Sequence, residues 1–241
     1  LTAAILNVFI MHFDVKSRKL EDVSVVAPIS SIAPLVSVPI AIVLLGEWTT
    51  LWGFLGILAV VPGLYLIGLS GKVMPLPAGL ERALPESWSK PVGRWIGPWL
   101  RLAASRGAWL ALLVACLGAV AVNVDKPVVL GSNPLFRTGA VFAFVALALF
   151  LDSWRRGEWQ MIPKGRTLFW KVLATGMLVG IADALYGTGY YFGIVPYVAA
   201  LKHVQALWSV LLGWRVLKEP YGPARLAGSA ILILGVLLLA F

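Results

Sequence analysis

Long apolar stretches separated by short polar segments run through almost the whole chain. The stretch from 23 to 45 has no charged side chain in 23 residues, more than the roughly 20 that a helix needs to cross the hydrocarbon core of a bilayer. Strands of a water-soluble sheet have apolar runs of only about 4–8 residues, so length excludes such a sheet. The pattern predicts eight membrane-spanning helices, at residues 1–17, 23–45, 50–70, 107–124, 136–152, 171–192, 195–217 and 222–241.

The chain also repeats itself, without a gap, at an offset of 172 residues. Thirteen of the 69 positions in residues 1–69 are identical to their partners in 173–241. Shared apolar composition does not account for three of these identities, Glu47/Glu219, Gly56/Gly228 and Gly63/Gly235. Duplicated membrane halves are typical of secondary transporters. The repeat therefore predicts an all-α integral membrane protein built as an inverted-repeat helical bundle.

The repeat divides the predicted helices unequally. Two spans precede the matched block of the second copy, so the offset places their partners ahead of residue 1. We expect eight transmembrane helices in this fragment and ten, five in each half, in the intact protein. Residues 1–70 form the remainder of the first repeat, with three helices, and residues 107–241 form the second, with five. Residues 71–106, rich in proline and tryptophan, are expected to be a linker at the membrane interface.

Glycines punctuate the predicted spans. Gly176 and Gly180 form a small-x-x-x-small pair, which lets two helix backbones approach closely. The pairs Gly56/Gly228 and Gly63/Gly235 predict the same kind of packing. Their alternative interpretation is a set of hinges in a moving bundle.

Composition and charge narrow the class of protein further. Hydrophobic residues make up 60% and charged residues 13% of the chain, which is outside the range of water-soluble domains. The net charge of +9 does not indicate a nucleic-acid partner, because the basic residues are distributed as membrane topology signals. Seventeen lie in segments 14–22, 71–106, 152–171 and 215–225, against two in 46–49, 125–137 and 193–196. This bias predicts a multi-pass protein of the bacterial inner membrane with the first set of loops in the cytoplasm.

Two polar helix faces are the leading candidates for a substrate site. Asp183 lies 12 residues after Lys171, about 18 Å along a helix and near the membrane midplane. An ionisable group at that depth usually faces the bundle interior or an aqueous cavity. Tyr186 and Tyr190 share its face by helical spacing. Lys202, Gln205 and Ser209 form the polar face of the next span.

These two faces are predicted to meet in one central cavity. Asp183 and Lys202 differ in depth by roughly 6 Å and could bridge directly or through substrate. Lys202 could instead extend toward the lipid headgroups, and Asp183 could pair structurally with a buried cation. The opposite wall is predicted from the first copy, where the residues are Ser30, Pro34 and Ser37.

Further polar residues are weaker candidates. His203 points about 100° away from Lys202 on a helix, toward a packing or a proton-relay role. Asn123 and Asp125 end one span, at the interface or at the cavity mouth. Glu47 and Glu219 open new spans, where a carboxylate is stabilised by the helix dipole, so we interpret them as structural. The sequence shows no catalytic constellation, no metal-ligand spacing and no cofactor motif, and its single Cys116 permits no intramolecular disulfide.

The segment Leu45–Glu47 followed by Gly56 and Gly63, with its echo at Leu217–Glu219, Gly228 and Gly235, resembles EamA-type members of the drug/metabolite transporter superfamily. The resemblance implies two inverted five-helix repeats around a central cavity that opens alternately to each side. It also implies transport of a small metabolite, amino acid or drug, without a cofactor and in the direction of export. The expected partners are a small-molecule substrate and the lipid bilayer, and a homodimer is compatible with the pattern. The alternatives are a membrane-embedded lipid-modifying enzyme and a non-transporting scaffold or channel subunit.

Overall fold

The computed structural model of the chain describes residues 2–68, 85, 93, 95–100, 102, 105–157, 165–216, 223–239 and 241. Its described residues form helices and connecting turns, with no strand among them. The helices are α1 Thr2–Leu20, α2 Val23–Ser30, α3 Ala33–Leu45, α4 Leu51–Gly68, α5 Gly97–Leu100, α6 Arg106–Gly131, α7 Pro134–Arg155, α8 Arg166–Thr188, α9 Val195–Lys202, α10 Gln205–Arg215 and α11 Pro223–Leu238. A short 3₁₀ turn, Gly189–Tyr191, follows α8.

Six helical segments in the described part of the chain are long and apolar enough to cross a membrane. They are Val25–Leu45, Leu51–Gly68, Arg106–Gly131, Pro134–Arg155, Arg166–Tyr191 and Val195–Leu212. The expected first and last spans correspond to α1 and α11. The second half of α1 carries charged residues, and α11 has 16 described residues. The chain is therefore a multi-pass helical membrane protein, while its count of eight spans stays a prediction.

Two of the predicted spans are interrupted, each at the same place in the repeat. Residues 23–45 break at Ser31 and Ile32, and residues 195–217 break at His203 and Val204, 172 positions later. Both breaks contain hydrogen bonds to the carbonyl three residues back, from Ile32 to Ile29 and from Val204 to Leu201, which tighten the turn. Prolines flank the first break, whereas alanines hold those places at the second. Both regions are found as candidate membrane spans, and each is formed by two successive helices.

Signals in the sequence account for the starts of α6 and α7. The Ser105 hydroxyl accepts hydrogen bonds from the N–H groups of Gly107 and Ala108, which have no partner within the helix. The Asn133 side chain does the same for Phe136 at 2.7 Å, and Pro134 supplies the fixed φ favoured at a first helical position. Both helices therefore begin with ordinary N-caps.

Glycines bring α4 and α11 into backbone contact. A Cβ atom added at Gly56 would lie 2.7 Å from the carbonyl oxygen of Gly235, and one at Gly235 would lie 2.8 Å from that of Gly56. Gly63 and Gly228 face each other in the same way, at 2.9 and 2.7 Å. Only glycine fits such an approach, so the prediction of close packing is confirmed for these two pairs.

The predicted close approach at Gly176 and Gly180 is not formed within the described residues. Nothing lies within 4 Å of a Cβ built at Gly176, and Phe142 at 4.0 Å is the neighbour of one built at Gly180. The reason is that α8 contacts α7 further along the same face, at Asp183 and Gly187, while its surface around Gly176 is exposed.

α6 packs antiparallel to α1 and against α2 and α3. The Ser17 hydroxyl donates to the carbonyl oxygen of Gly107 at 2.9 Å near one end. Near the other end, Ala3 and Ala4 form an apolar cluster with Val124 of α6 and Val141 of α7. α1 is thus covered along its length by two helices from the second half of the chain.

Most of the expected linker, residues 71–106, lies outside the described residues. Its described part includes α5, which approaches the end of α4. The Tyr65 hydroxyl donates a hydrogen bond to the carbonyl oxygen of Trp95, and the Tyr65 ring stacks on Trp99 with centroids 6.2 Å apart. This segment therefore lies against α4.

Candidate functional site

A cavity of about 820 Å³ lies beside α8, α9 and the start of α10. Its walls are mostly apolar, with contributions from α7 and α11. Its polar side chains include four of the predicted site residues, Asp183, Tyr186, Lys202 and Gln205. Apolar walls with a few convergent polar groups are the usual composition of a small-molecule site.

Helical geometry explains why these four residues meet. Asp183 and Tyr186 are three residues apart on α8 and so share a face. Lys202 is the last residue of α9, and Gln205 is the first of α10, on the far side of the helix break. Both side chains line the cavity although no continuous helix joins them.

Arg137 is the centre of a buried ion cluster next to the cavity. It lies in the first turn of α7, and its side chain is 6% exposed. Its guanidinium donates to Oδ2 of Asp125 through one terminal nitrogen and to Oδ2 of Asp183 through the other. The Thr138 hydroxyl also donates to Oδ2 of Asp183, at 2.9 Å. One cation therefore links α6, α7 and α8 through two carboxylates.

Sequence reasoning missed Arg137 because it assigned residues 125–137 to a loop. The segment Asn133–Pro134 carried the missing signal: an N-cap residue followed by proline marks a helix start. That signal would have placed Arg137 on the first turn of the helix, 46 residues before its partner Asp183. Neither Lys126 nor Arg137 lies in a loop, so both of the exceptions to the charge bias are structural cations.

Several polar atoms of this region have no hydrogen-bond partner among the described residues. They are Oδ1 of Asn123, Oδ1 of Asp125 and Nε of Arg137. The amide nitrogen of Asn123 donates to the carbonyl oxygens of Ala119 at 2.7 Å and Ser37 at 3.3 Å. Asn123 and Asp125 are buried in the bundle and do not line the cavity.

Lys202 does not bridge to Asp183, contrary to one of the predicted arrangements. Asp183 is already engaged by Arg137, and the Lys202 ammonium lies over the Tyr186 ring, 4.5 Å from its centroid. No carboxylate of the described residues lies within ion-pair distance of Lys202. The lysine therefore presents a cation to the cavity, held by its contact with an aromatic face.

Other predicted residues lie away from the cavity. Tyr190 is buried in the 3₁₀ turn after α8, and its hydroxyl donates to that of Tyr186 at 2.9 Å. The Ser209 hydroxyl donates to the carbonyl oxygen of Gln205 at 3.0 Å, on an exposed part of α10. His203 lies at the helix break and is half-buried. The break turns Ser209 out of line with Lys202, which corrects the predicted common face.

The residues predicted to form the opposite wall of the cavity, Ser30, Pro34 and Ser37, lie instead near a contact between helices. The Ser37 hydroxyl donates to the carbonyl oxygen of Pro34 at 2.7 Å, and both residues are buried. Ser30 ends α2, and none of the three lines the cavity. The physical reason is that α6 packs against this side of α2 and α3 and fills the space.

Glu47 and Lys126 form a second ion pair, at 2.5 Å. Gly46 ends α3 with a left-handed φ of 67°, which directs Glu47 across the bundle. Its other oxygen, Oε2, accepts from the backbone N–H of Val195 at 2.7 Å, while Lys126 donates to the carbonyl oxygen of Gly193 at 2.8 Å. Glu47 does lie at a helix start, but it is that of α9 and not that of α4. Glu219 lies outside the described residues.

Metal ligation has no candidate in the described ranges, because no group of three or more histidine, cysteine, aspartate or glutamate residues forms there. Cys116 is a free, half-buried thiol on α6.

Comparison with known proteins gives one family. The model of the EamA-like transporter family matches residues 105–241, which cover the whole second copy of the repeat. No curated protein matches the chain.

Proposed function

Because the chain belongs to the EamA-like transporter family, it is a multi-pass membrane transporter of the drug/metabolite type, and we propose that it exports a small metabolite by alternating access. The bacterial inner membrane is the proposed location, in keeping with the basic loops. Neither the lipid-modifying enzyme nor the scaffold is favoured by this family.

The proposed architecture is an inverted repeat of residues 1–70 and 107–241, joined by the linker 71–106. Gly56 contacts Gly235 while Gly63 contacts Gly228, although the repeat equates Gly56 with Gly228. Such crossed contacts are what a two-fold axis produces, since residue i meets j′ and j meets i′. They also require α4 and α11 to run antiparallel, which supports an axis in the membrane plane.

The observation that carries the transport proposal is the cation at Lys202. Arg137 contacts both Asp125 and Asp183 directly, whereas Lys202 has no carboxylate within ion-pair distance in the described part of the chain. A substrate with a carboxylate or another anionic group would give Lys202 a direct ion-pair partner. The apolar wall, which includes Phe142, Phe192 and Leu201, would take up the apolar remainder of the substrate.

Thermal unfolding of the purified protein with a panel of small carboxylates, and their amides as uncharged analogues, tests this proposal. A ligand at 100 times its Kd stabilises a folded protein by about 2.7 kcal/mol, so binders raise the melting temperature of the wild type. Lys202→Ala should abolish that rise and Lys202→Arg should keep part of it. Lys171→Ala, an exposed lysine at the other end of α8, is the matched control and should keep it fully.

Proteoliposomes loaded with the stabilising compound then measure transport. The proposal expects exchange by the wild type and by Lys171→Ala, with loss of at least tenfold in Lys202→Ala. Accumulation by inverted membrane vesicles, but not by right-side-out vesicles, checks the direction of export. Equal transport by Lys202→Ala, or stabilisation by the amides alone, would contradict the assignment of Lys202.

A further inference from the structure

A groove lies between the end of α1 and the start of α6, away from the cavity beside α8. Its volume is about 960 Å³, within the range of sites that hold small molecules. The described residues that line it are all different from those that line the cavity. Its charged side chains are Lys16, Glu21 and Arg106, and its apolar wall includes Leu110 and Leu113. The groove is therefore separate from the proposed substrate site.

Close packing of α1 on Gly107 shapes this groove. A Cβ atom added at Gly107 would lie 2.5 Å from Cγ of Glu21 and 3.0 Å from Cβ of Leu20. The Ser17 hydroxyl, one turn earlier on α1, donates to the carbonyl oxygen of Gly107 at 2.9 Å. Because glycine lets the two helices approach, the side-chain stem of Glu21 rests against the first turn of α6. Its carboxylate is thereby held beside the groove.

The groove is polar at one end and apolar at the other. Arg106 is the first residue of α6, and Leu110 and Leu113 follow it by four and seven residues. At 1.5 Å per residue they lie about 6 and 10 Å further along the span. Trp109 lines the polar end and is 59% exposed, and tryptophan is typical of the membrane–water interface. The groove thus matches an amphiphile whose head lies at the interface and whose tail lies in the bilayer.

The three charged side chains have no ion-pair partner among the described residues. Basic pockets between transmembrane helices bind lipid headgroups, and the arginine guanidinium matches the geometry of phosphate oxygens. The Glu21 carboxylate repels a headgroup that carries negative charge alone, but it offers a partner to an ammonium group. Two cations and one carboxylate therefore match a phosphodiester that stands next to an ammonium.

These charges are not part of the sequence repeat. Adding 172 to Lys16 and Glu21 gives Thr188 and Gly193, which are both uncharged. The packing that the two copies share therefore does not account for the charges at the end of α1.

We propose that this groove binds phosphatidylethanolamine from the leaflet on the side of the basic loops. The phosphodiester lies between Lys16 and Arg106, the ammonium group pairs with Glu21, and an acyl chain follows Leu110 and Leu113. Phosphatidylglycerol leaves Glu21 beside an anion without an ammonium partner. Phosphatidylcholine has the charge, but its trimethylated ammonium cannot donate a hydrogen bond to the carboxylate.

Native mass spectrometry of the purified protein, titrated in detergent with these three lipids carrying identical acyl chains, tests the proposal. The first bound lipid should be phosphatidylethanolamine, with an affinity at least fivefold above that of the other two. Glycerophosphoethanolamine, which has the headgroup but no acyl chains, should bind at least tenfold more weakly than the lipid. Equal affinities of the three lipids, or equal binding of glycerophosphoethanolamine, would overturn the proposal.

Substitutions show whether the bound lipid occupies this groove. Lys16→Gln and Arg106→Gln should each weaken the first binding of phosphatidylethanolamine at least fivefold, and Lys16→Arg should keep most of it. Glu21→Gln should remove the preference over phosphatidylglycerol. Lys19→Gln is the matched control, because Lys19 is an exposed lysine of the same helix that does not line the groove.

Lys19→Gln should bind phosphatidylethanolamine within twofold of the wild type. An equal loss in Lys19→Gln and Lys16→Gln would mean that general surface charge attracts the lipid. Unchanged binding in Lys16→Gln and Arg106→Gln, or a wild-type preference for phosphatidylglycerol that grows in Glu21→Gln, would likewise overturn the assignment. The readout is lipid binding and not transport, so it stands or falls separately from the role of Lys202.

Discussion

α4 and α11 hold equivalent places in the two copies of the sequence repeat, and their contact is the same seen from either helix. A Cβ atom added at either of two glycines on each helix would lie 2.7–2.9 Å from a backbone atom of the other helix. The repeat has kept glycine at these positions in both copies because any Cβ atom would displace a backbone. Here the two copies make the same packing contact.

The neighbouring helices show the opposite behaviour. α8 has Asp183 where α1 has Met11, and α9 ends at Lys202 where α2 ends at Ser30. Only the second copy therefore places charge at these two positions beside the cavity. The comparison teaches that packing at the centre is shared between the copies, whereas the candidate chemistry belongs to one of them.

The largest expected loss of stability comes from removing Arg137, the cation that binds Asp125 and Asp183 in the second copy. Arg137→Met strands Asp125 and Asp183 in a buried site, and loss of one partner from such a cluster costs about 3–5 kcal/mol. Loss of helix during titration with sodium dodecyl sulfate, followed by circular dichroism, measures the effect. Arg156→Met is the control, because its pair with Asp152 is half-exposed and contributes about 0–1 kcal/mol. Equal unfolding curves for the two variants would mean that the Arg137 cluster is not a structural element.

The Glu47–Lys126 pair joins the two copies, since it connects the end of α3 to α6, and both side chains also bond the backbone at or just before the start of α9. Glu47→Gln keeps an acceptor for the N–H of Val195 but loses the charge, and Lys126→Met leaves Glu47 buried alone. We expect each single change to cost about 2–3 kcal/mol. A double-mutant cycle on the same unfolding assay should show coupling of at least roughly 1 kcal/mol. Additive effects would show that the two copies are not held together here.

The shared glycines offer the smallest and most symmetrical test. Gly63→Ala and Gly235→Ala each push a methyl group to 2.8 Å from a backbone nitrogen of the other helix, an overpacking worth about 1–3 kcal/mol. Because the positions are equivalent, the two costs should agree within about 0.5 kcal/mol. Gly118→Ala is the control: nothing lies within 4 Å there, and a helix interior gains about 0.5–1 kcal/mol from alanine. Unequal losses of stability in Gly63→Ala and Gly235→Ala would show that the contact between α4 and α11 is not symmetrical.

Much of the site was accessible from the sequence, because membrane depth and helical spacing act locally. Those two rules selected Asp183, Tyr186, Lys202 and Gln205, which the fold gathers around one cavity. The partner of Asp183 was not accessible in the same way. Arg137 is 46 residues away, and only the packing of α7 against α6 and α8 decides that its guanidinium reaches both carboxylates.

The break at His203 and Val204 also escaped prediction, since no proline marks it. The position of the Glu47 carboxylate escaped prediction as well, because Glu47 was expected to lie at the start of α4. In the folded chain its carboxylate bonds the first N–H of α9, 148 residues further on.

The sequence alone determined that the chain is a helical membrane protein, that it repeats itself at an offset of 172 residues, and that the glycines kept in both copies lie between helices. These properties depend on the cost of unpaired backbone in lipid and on local size, so they can be read from position and composition. Only the tertiary structure decided which charges are compensated, which small residues of the first copy meet α6, and which face of α8 stays open. Each of these depends on distances between helices that are far apart in sequence. An ion pair between such helices can form only once they have packed.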